Sequence, residues 1–433
     1  MAESKDIVMH NPGQPDAFGY QIAFVKKPAE GDEKSYSATQ YVTEFNVYES
    51  LFAKGLCLTL GVFDGGGLME TLALQPGDMV DLTLFKDEDS EKLVKRFVIL
   101  NIGNISRAPN SQAKTYTVSA MTMPAFLNKK KTVYRGFKGK HSDMVTTICK
   151  DYLEMEEVEV EATYGDFTVV APGKAPFKLL SQIMLHSISE EGGESASLYF
   201  FYEDRDGFKF KTLNKIVADA NVHSYTLSVD KNVDGVSDLT KIQHFSQLKA
   251  GSQSERMAAG MYENEVVEFD PISRSISSTL WKFKEAGEPL QLLGKNAVVD
   301  KVNNLAQWTS DVESKVRGLA NMVKFRVNDE AFEGTNNYGR KFGAMVAQKA
   351  MFNQIIYAIQ IFGTTNIKAG DVLDITAPSM SMQNDAPQLD FSLQGKFLVG
   401  DVRHRVVGGE NFVTILNIFK DGFETEYKQE EEK

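Results

Sequence analysis

Residues 74–83 read LQPGDMVDLT, and residues 367–376 repeat this stretch without a gap as IKAGDVLDIT. Each copy is followed by a variable polar loop, an apolar strand (FVILNI at 97–102, FLVGDV at 397–402) and a closing strand (YTV at 116–118, VTI at 413–415). A chance match is a poor explanation for three elements, the turn and the two strands, that follow one another in the same order. A Gly-Asp turn that starts a strand with alternating faces, followed by a meander, is typical of a small antiparallel barrel. The repeat therefore predicts two related β-barrels in one chain.

The repeat also predicts matching detail in the two barrels. The Gly77-Asp78 and Gly370-Asp371 turns should superimpose, and the strands that follow them should share order and direction. A strand that closes a small barrel alternates between inside and outside. Residues on the inner faces should therefore point into the two cores: Val80, Leu82 and Leu84 in the first, Leu373 and Ile375 in the second. The alternative is that both stretches are common turn-to-strand openings in unrelated sheets.

The chain around the first copy has the pattern of an all-β domain. Short alternating runs lie at residues 38–63, 79–85, 95–102 and 115–121, separated by glycine-containing or proline-containing turns. Such runs with turn signals between them predict strands. We assign residues 1–125 to the first barrel.

The hydrophobic period changes at Lys140. Ser142 and Asp143 can cap a helix whose apolar residues recur at spacings of three and four, and a second such helix follows Pro176. The stretch FYEDRDGFKF at residues 201–210 consists of two alternating runs joined by Asp-Arg-Asp-Gly, which predicts a hairpin. We assign residues 126–240 to an α/β module.

The second barrel is predicted in two parts, residues 241–275 and 354–425. Between them, residues 276–353 form a mainly helical insertion that we expect to pack with the α/β module, because apolar stripes at 298–323 and 342–349 have the helical period. Residues 426–433 are predicted to be an acidic solvated tail. The predicted fold class is α+β and β-rich.

Composition excludes several classes of protein. The 433 residues include 47 Lys and Arg against 59 Asp and Glu, a formal net charge of −12, which argues against general attachment to nucleic acid or to an anionic membrane surface. Two cysteines, Cys57 and Cys149, cannot form a disulfide framework and indicate a reducing compartment. We find no signal-peptide core and no apolar run of membrane-spanning length, so we expect a soluble, unexported protein that does not contact a membrane.

Signatures of catalysis are missing from the sequence. The chain has no GxGxxG, GxxxxGK[ST], HExxH or GxSxG motif. We therefore expect no enzymatic activity, and we assign no catalytic, cofactor-binding or metal-binding residues and no cofactor. The histidines have no metal-ligand spacing and are predicted to be structural or exposed: His10, His141, His186, His223, His244 and His404.

Clusters of carboxylates allow two weaker interpretations. The first is a calcium loop, whose start is resembled by two groups: Asp204, Asp206 and Gly207, and Asp230, Asp234 and Asp238. Neither group has the alternating ligands and the terminal Glu that calcium needs. The second is a glycosidase pair, Glu190 with Glu191 or Glu203 with Asp204, but any acidic protein offers such pairs. A hairpin turn is the favoured interpretation of the Asp204 group.

One basic cluster stands out in this acidic chain. Its members are Lys129, Lys130, Lys131, Arg135, Lys138 and Lys140. It is interpreted either as a solvated loop between domains or as a docking patch for an acidic partner, and we favour the solvated loop.

The chain resembles the central baseplate hub protein of contractile-tailed phages of the T-even type over nearly its whole length. The resemblance is carried by FNVYESLF at 45–52 leading into the strand at 56–62, by the repeated Gly-Asp stretch, by FYEDRDGFKFKTL at 201–213, and by YENEVVEFDP at 262–271. The hairpin pattern at 201–213 is the most specific of these. The resemblance implies two tudor-like antiparallel β-barrels, an α/β module, and a helical insertion that splits the second barrel.

The resemblance further implies a structural role in the virion tail baseplate. The resemblance implies a homotrimer, in which two barrels per chain give a pseudo-sixfold ring around the DNA channel. Such a ring joins the hexameric tail tube above to the trimeric spike protein with its OB-fold region below; tape measure and baseplate wedge proteins are further expected neighbours. DNA would pass through without specific binding. The expected place of assembly is the cytoplasm of the host bacterium.

Two other functions stay open at this stage. One is a tail-associated hydrolase that degrades peptidoglycan, which should show an additional catalytic domain. The other is an interaction module of non-viral origin. The sequence does not distinguish a contractile tail from a long non-contractile tail or a phage-like injection machine.

Overall fold

A computed structural model of the chain describes residues 7–11, 17–27, 32–86, 91–107, 113–193, 198–227, 238–250, 253–270, 274–283, 290, 292–293, 296–297, 324–325, 338–353, 355–383, 386–390 and 393–423. Within these ranges the fold is α+β and rich in strands, as predicted. None of the described helices is long and apolar enough to cross a membrane.

The strands are β1 Val8–His10, β2 Phe18–Lys26, β3 Lys34–Ser37, β4 Val42–Ser50, β5 Cys57–Asp64, β6 Met79–Phe85, β7 Leu93–Arg107, β8 Lys114–Thr122, β9 Val133–Lys140, β10 Glu159–Val160, β11 Asp166–Lys174, β12 Tyr199–Glu203, β13 Phe208–Thr212, β14 Val222–Thr226, β15 His244–Lys249, β16 Glu263–Asp270, β17 Ser275–Lys282, β18 Asn296–Ala297, β19 Lys324–Phe325, β20 Ile355–Phe362, β21 Val372–Thr376, β22 Pro378–Gln383, β23 Ala386–Leu389, β24 Gly395–Val407, β25 Asn411–Lys420 and β26 Gly422–Phe423. The helices are α1 Leu68–Leu72, α2 Met123–Lys130, α3 His141–Leu153, α4 Pro176–His186, α5 Leu213–Ala218, α6 Gln253–Ala258 and α7 Tyr338–Phe352.

The N-terminal β unit is an antiparallel ladder in the order β2-β6-β7-β8-β5-β4. In β5, β6 and β8 every second residue is buried, and the buried residues of the unit meet in a single core that includes Phe24, Phe45 and Phe97. Burial of such aromatic side chains is the main favourable term in folding a unit of this kind.

The C-terminal β unit is built in the same way from strands at the other end of the chain. Its order is β21-β24-β25-β20-β15, and β14 adds to β21 in parallel. A second core, which includes Ile361, Leu373 and Phe397, lies within it. The strand β14 falls in the stretch that the sequence assigned to the α/β module, because alternation predicts a strand but not the sheet that it joins.

The two β units form one continuous sheet, since β4 pairs with residues 401–407 of β24. The outer edge of β4 is therefore occupied by the other unit and does not return to β2. Among the described strands no ladder closes on itself, so the closed tudor-like barrels that we expected are not observed.

The α/β module packs two helices against two small sheets. The sheets are β9 with β11 and β10-β13-β12, and the helices α3 and α4 supply Val145, Ile148 and Ile183 to a third core. The α3 helix begins at His141, and neither Ser142 nor Asp143 caps it. The Thr163 hydroxyl takes the capping role by accepting the Ser142 backbone N–H at 2.9 Å, a contact between distant residues that local sequence does not reveal.

A separate small sheet is formed by segments that lie in the sequence between β15 and β20 of the C-terminal β unit. The hairpin β16-β17 pairs with β19, and α7 packs on it with Gly343 against the Trp281 side chain. Residues 263–270 and 275, assigned from the sequence to the second barrel, and residues 276–282, assigned to the helical insertion, therefore form this hairpin. The stripe at 342–349 lies in α7, whereas the stripe at 298–323 and the tail at 426–433 lie outside the described residues.

Candidate assembly interface

The two Gly-Asp turns make the same backbone hydrogen bonds. The Gly77 N–H donates to the Ile99 carbonyl and the Ile99 N–H donates to the Asp78 carbonyl, each at 2.8 Å. In the second copy the bonds from Gly370 to Val399 and from Val399 to Asp371 are also 2.8 Å long. The first turn is thus tied to the middle of β7 and the second to β24, the strands that pair with the β6 and β21 that the turns begin.

Side chains and backbone angles in the turns agree as well. Asp78 Oδ2 accepts the Gln75 N–H at 2.9 Å, and Asp371 Oδ2 accepts the Lys368 N–H at 3.1 Å. The φ angles are +99° at Gly77 and +96° at Gly370, in the region that glycine adopts without a Cβ clash. The two turns are therefore equivalent in hydrogen bonding and backbone conformation, as the repeat predicts.

Strand order confirms this part of the prediction. The order β6-β7-β8-β5-β4 corresponds to β21-β24-β25-β20-β15, with every neighbouring pair antiparallel. A bulge interrupts the register directly after Ile99 in one unit and after Val399 in the other. The expected inner-face residues are all buried: Val80, Leu82, Leu84, Leu373 and Ile375. The units differ at the next strand, where β2 is antiparallel to β6 but β14 is parallel to β21.

The junction between the β units is polar as well as hydrogen-bonded along its strands. Arg405 Nε donates to Glu44 Oε1 and Arg403 Nε donates to Asn46 Oδ1, both at 2.9 Å. The Arg405–Glu44 ion pair is partly exposed, so its contribution to stability is about 0 to 1 kcal/mol. These side-chain contacts connect the two strands across the junction, beside the backbone pairing of residues 44–50 with 401–407.

The hairpin at 201–210 contacts both β units from outside. Glu203, which is almost completely buried, accepts the Leu56 N–H at 3.0 Å and the Thr122 hydroxyl at 2.6 Å, and its other oxygen pairs with Lys95 at 3.1 Å. All three partners belong to the N-terminal β unit: Leu56 directly precedes β5, Thr122 ends β8, and Lys95 lies in β7. One carboxylate of the hairpin therefore fixes the α/β module to that unit.

The other side of the hairpin tip reaches the C-terminal β unit. Arg205 donates to the Thr365 carbonyl and to the carboxylate of Glu91, and Asp206 pairs with Lys368 at 2.5 Å. Lys368 lies in the Gly370 turn. The most specific stretch of the sequence thus holds three parts of the molecule together.

Asp204 shapes the hairpin turn itself. Its Oδ1 accepts the backbone N–H groups of Asp206 at 2.9 Å and Gly207 at 3.0 Å, and its Oδ2 lies 2.5 Å from Lys209 Nζ. The carboxylate is therefore already engaged by the turn and by a cation, which confirms the hairpin-turn interpretation. Asp230 and Asp234 lie outside the described residues, and Asp238 begins a short 3-10 helix.

Glu49 is a fully buried carboxyl group at the centre of this junction. Its Oε1 accepts the backbone N–H of Ala369, next to the second Gly-Asp turn. Burial raises the pKa of Glu49 to about 8, and the negative charge of nearby Asp204 contributes to the increase. At neutral pH this group is therefore mostly protonated.

His404 is a buried imidazole in the part of β24 that crosses to the N-terminal β unit. Its Nδ1 lies 3.3 Å from the Thr414 hydroxyl, which itself donates to the Thr364 carbonyl at 3.1 Å. Because that hydroxyl proton is already used, Nδ1 is the donor in the contact with His404. Burial, helped by the Arg205 charge, lowers the pKa of His404 to about 4.

Neither Glu49 nor His404 was predicted to be an interior ionisable group, and His404 was predicted to be structural or exposed. A signal was present for His404, because it occupies the inward position between Val402 and Val406 in an alternating strand. Glu49 gave a weaker signal, since the buried and exposed residues of β4 do not alternate strictly.

The other histidines have structural surroundings or lie at the surface. His141 and His186 stack on either side of Phe167, at 4.7 and 4.9 Å between ring centroids, and His10 stacks on Phe18. His223 Nε2 lies 3.1 Å from Asp371, and His244 is exposed. In the described part of the chain, no three His, Cys, Asp or Glu side chains are grouped to hold a metal ion.

The remaining candidates lie mostly at the surface of the α/β module. Glu190 pairs with Lys140 at 3.2 Å, and Glu191 lies 3.9 Å from Lys215. In the basic cluster, Lys131 and Arg135 also pair with acidic residues of α3 and its end. Such pairing favours a solvated surface, while the docking-patch alternative stays untested. Both cysteines are free, Cys57 exposed and Cys149 buried.

A comparison with known proteins identifies a phage relative. The chain is 22% identical over 404 residues to the probable baseplate hub protein gp334 of Vibrio phage KVP40, which covers 89% of this chain and 91% of the relative. No family model matches the sequence. The resemblance to baseplate hub proteins is confirmed by this relative.

Solved structures of two tail proteins share the fold. The 43 kDa tail protein of prophage MuSo2 from Shewanella oneidensis has a TM-score of 0.54 at 11% identity, covering 94% of this chain and 100% of that chain. The tail protein from Neisseria meningitidis MC58 has a TM-score of 0.53 at 9% identity, covering 93% of this chain and 97% of that one. The whole arrangement of β units and α/β module is therefore an architecture found in tail proteins.

Proposed function

We propose that this protein, which is similar to a phage baseplate hub protein along most of its length, is a structural hub of a virion tail baseplate. The observation that carries the proposal is the internal duplication: one chain holds two β units with the same five-strand order and the same turn. A chain of this kind presents two similar surfaces to its neighbours.

The duplication provides a physical basis for matching different symmetries. Three copies with two β units each give six similar units around one axis, and closed symmetric rings are the usual form of soluble oligomers. The hub is then a homotrimer with a pseudo-sixfold ring of tudor-like β units. Such a ring accepts six identical tube subunits above and a trimeric spike with its OB-fold region below.

The other partners follow from the position of a hub. DNA passes through the central channel without specific binding, and the formal charge of −12 is compatible with low affinity for phosphates. Tape measure and baseplate wedge proteins are further neighbours. Assembly takes place in the cytoplasm of the host bacterium.

The proposed role is non-enzymatic, in agreement with the structural relatives. Of the buried carboxylates, Glu203 is occupied by contacts with the N-terminal β unit and Asp204 by the backbone N–H groups of its own turn. A peptidoglycan-degrading tail enzyme and a non-viral interaction module remain the alternatives, and neither is favoured by an observation in the fold.

Two measurements test the hub proposal. Multi-angle light scattering of the purified protein should give a particle with three times the 48.2 kDa mass of one chain. An obligate trimer of this kind should bury more than about 2,000 Å² per interface. In purified virions, immunogold labelling should place the protein at the end of the tail between tube and spike. Label along the fibres, or absence from the particles, contradicts the proposal.

A further inference from the structure

The two-stranded sheet β9-β11 of the α/β module has one buried face and one exposed face. Side chains of the buried face, such as Phe137, pack in the third core beneath α3 and α4. On the exposed face, the strand register places Tyr134 opposite Pro172 and Gly136 opposite Val170. Tyr134 is 77% exposed and Val170 is 67% exposed. An aromatic and an aliphatic side chain therefore lie together in solvent on one face of this sheet.

The Tyr134 ring is held against the neighbouring strand. A Cβ added to Gly173 would lie 2.7 Å from both Cζ and the hydroxyl oxygen of Tyr134, so the ring lies directly over the Gly173 backbone. Gly173 has a φ of +75° and lies where the register of β9 and β11 shifts. The glycine both adopts the left-handed conformation and leaves room for the ring. An exposed tyrosine that is already positioned loses little conformational entropy when a partner covers it.

Half of the basic cluster carries uncompensated charge beside this face. The other three members pair with nearby carboxylates. Lys129, Lys130 and Lys138 are exposed, and no carboxylate of the described residues pairs with them. Lys138 lies on the exposed face itself, whereas Lys129 and Lys130 end α2 just before β9. These three lysines, with Tyr134 and Val170, are called the basic face. It is a local positive surface in a chain with a formal net charge of −12.

The edges of the β9-β11 sheet are protected against the addition of another strand. Pro172 lies in β11, and Arg135 and Lys138 lie in β9. Proline and charged side chains are the usual protection of strand edges. A partner is therefore expected to contact the side chains of the basic face and not to extend the sheet.

We propose that the basic face docks an acidic segment of another tail protein, with Tyr134 as its anchor. Carboxylates of the segment pair with the lysines, and an apolar side chain of the segment covers the Tyr134 ring. Tyrosine is enriched among the residues that contribute most to binding, and complementary charges around such an anchor provide specificity and steer association. The inference rests on the proposed place of the protein in a virion tail and adds a surface for one of its neighbours.

Nucleic acid and a second copy of the chain match the basic face less well. Binding to phosphates depends on the number of cations that release counterions, and only three lysines here are uncompensated. Asp166, which lies opposite Lys140 on the same face, would repel phosphates. A second copy in a twofold contact would bring the same positive surface, so like charges would oppose each other. Lysine reactivity distinguishes the three occupants.

Acetylation of lysines measures occupation of the basic face without any substitution. The probe is an acetyl N-hydroxysuccinimide ester, applied to the isolated oligomer and to intact virions and read by mass spectrometry. We expect Lys130 and Lys138 to react at least about tenfold more slowly in virions, because a docked partner excludes water and reagent. Carbodiimide treatment of the same virions should join these lysines by amide bonds to Asp or Glu of a different virion protein.

Each other result overturns the acidic partner. Equal reactivity in virions and in the isolated protein overturns the docking and leaves the hub proposal standing, since the protein is then present in the particle. Slow reaction already in the isolated oligomer assigns the face to a second copy. Protection that disappears in particles emptied of DNA by osmotic shock assigns it to nucleic acid. Absence of the protein from virions overturns the hub proposal and this inference with it.

Charge reversal tests whether the basic face is needed for assembly. Lys130→Glu with Lys138→Glu should lower the yield of infective particles at least about tenfold when it replaces the wild-type protein. The melting temperature and oligomeric state should stay unchanged, because both side chains are exposed. Lys130→Arg with Lys138→Arg keeps the charge and should retain the yield.

The matched control is Lys150→Glu with Lys178→Glu, which makes the same change of charge at two other exposed lysines of the α/β module. This control should leave the yield of infective particles unchanged. A yield that falls equally in both Glu pairs, or in neither, contradicts a specific function of the basic face.

Discussion

Glu49 and His404 are ionisable groups buried at the same strand junction, and pH acts on them in opposite directions. Glu49 has a pKa raised from its ordinary value of 4.5 to about 8, so the folded protein retains a proton that the unfolded chain releases. His404 has a pKa lowered from 6.5 to about 4, so the folded protein excludes a proton that the unfolded chain binds. Each substitution should therefore change the pH dependence of stability in its own window.

We expect Glu49→Gln to stabilise the protein above pH 8. For wild type, the free energy of unfolding contributed by Glu49 decreases as pH rises from 4.5 to 8, by a few kcal/mol, since each pKa unit corresponds to about 1.4 kcal/mol. Gln keeps the acceptor for the Ala369 N–H and cannot ionise. In thermal melts, the melting temperature of the variant relative to that of wild type should rise between pH 5 and pH 8.5.

Glu44→Gln on the same strand is the matched control. The Arg405 hydrogen bond lowers the pKa of Glu44, so this carboxylate contributes stability that is lost as pH falls below its ordinary value of 4.5. The control should be slightly destabilised at neutral pH. A Glu49→Gln variant that loses stability equally at every pH would contradict the buried-acid interpretation.

We expect His404→Asn to remove a loss of stability at acidic pH. In wild type, stability decreases as pH falls from 6.5 to 4, because the imidazole must be charged in the unfolded chain but stays neutral when buried. The variant loses packing and should be less stable at pH 7 by about 1–3 kcal/mol. Denaturant unfolding at pH 7 and pH 5 should show a smaller gap between variant and wild type at pH 5, and an unchanged gap would refute the assignment.

At the scale of elements, the duplicated turn offers a comparison within one molecule. Gly77→Ala and Gly370→Ala impose the same backbone strain, about 1–2 kcal/mol, because both residues have positive φ angles near +100°. A Cβ at Gly77 meets open space, whereas one at Gly370 lies 3.1 Å from Ile216 Cγ2 and 3.3 Å from the Tyr202 hydroxyl. Chemical denaturation should find Gly370→Ala the more destabilising by about 1 kcal/mol or more.

Element order was the part of the fold that the sequence predicted best. The repeat of LQPGDMVDLT in IKAGDVLDIT predicted that the two β units share strand order and direction, because turn and strand signals are local. The partner of an edge strand is not local. The pairing of β4 with β24 and the separate β16-β17 hairpin were missed because alternation shows which residues face a core but not which strand lies beside them.

For the candidate interface, too, local patterns were predicted from the sequence and contacts between distant segments were not. The hairpin at 201–210 was identified from its pattern, but its function as a clamp depends on contacts of Glu203 and Arg205 with distant segments at 56, 95 and 365. Those contacts exist only in the folded chain. Buried ionisable groups such as Glu49 are difficult to predict because the same residue types are mostly exposed elsewhere.

For the whole molecule, we expect no catalytic activity. Purified protein should neither clear peptidoglycan nor hydrolyse nucleotides, because the described acidic side chains near the hairpin are held by structural partners. A chelator should leave the melting temperature unchanged. Turbidity assays on cell walls provide the measurement. Clearing that disappears in Glu190→Gln or Glu191→Gln would instead support the hydrolase alternative.

The pairing of β4 with β24 has a consequence for the order of events during synthesis. The Ser50 hydroxyl bonds to Asp401, a separation of 351 residues, and Val406 and Phe412 complete the core of the N-terminal β unit. The N-terminal β unit therefore cannot finish folding until nearly the whole chain has been translated. Until then β4 is a bare strand edge, which invites mispairing with other nascent chains. From this one pairing we expect slow folding, because its contacts join residues very far apart in the sequence. We also expect the yield of folded protein to depend on temperature and on the supply of chaperones.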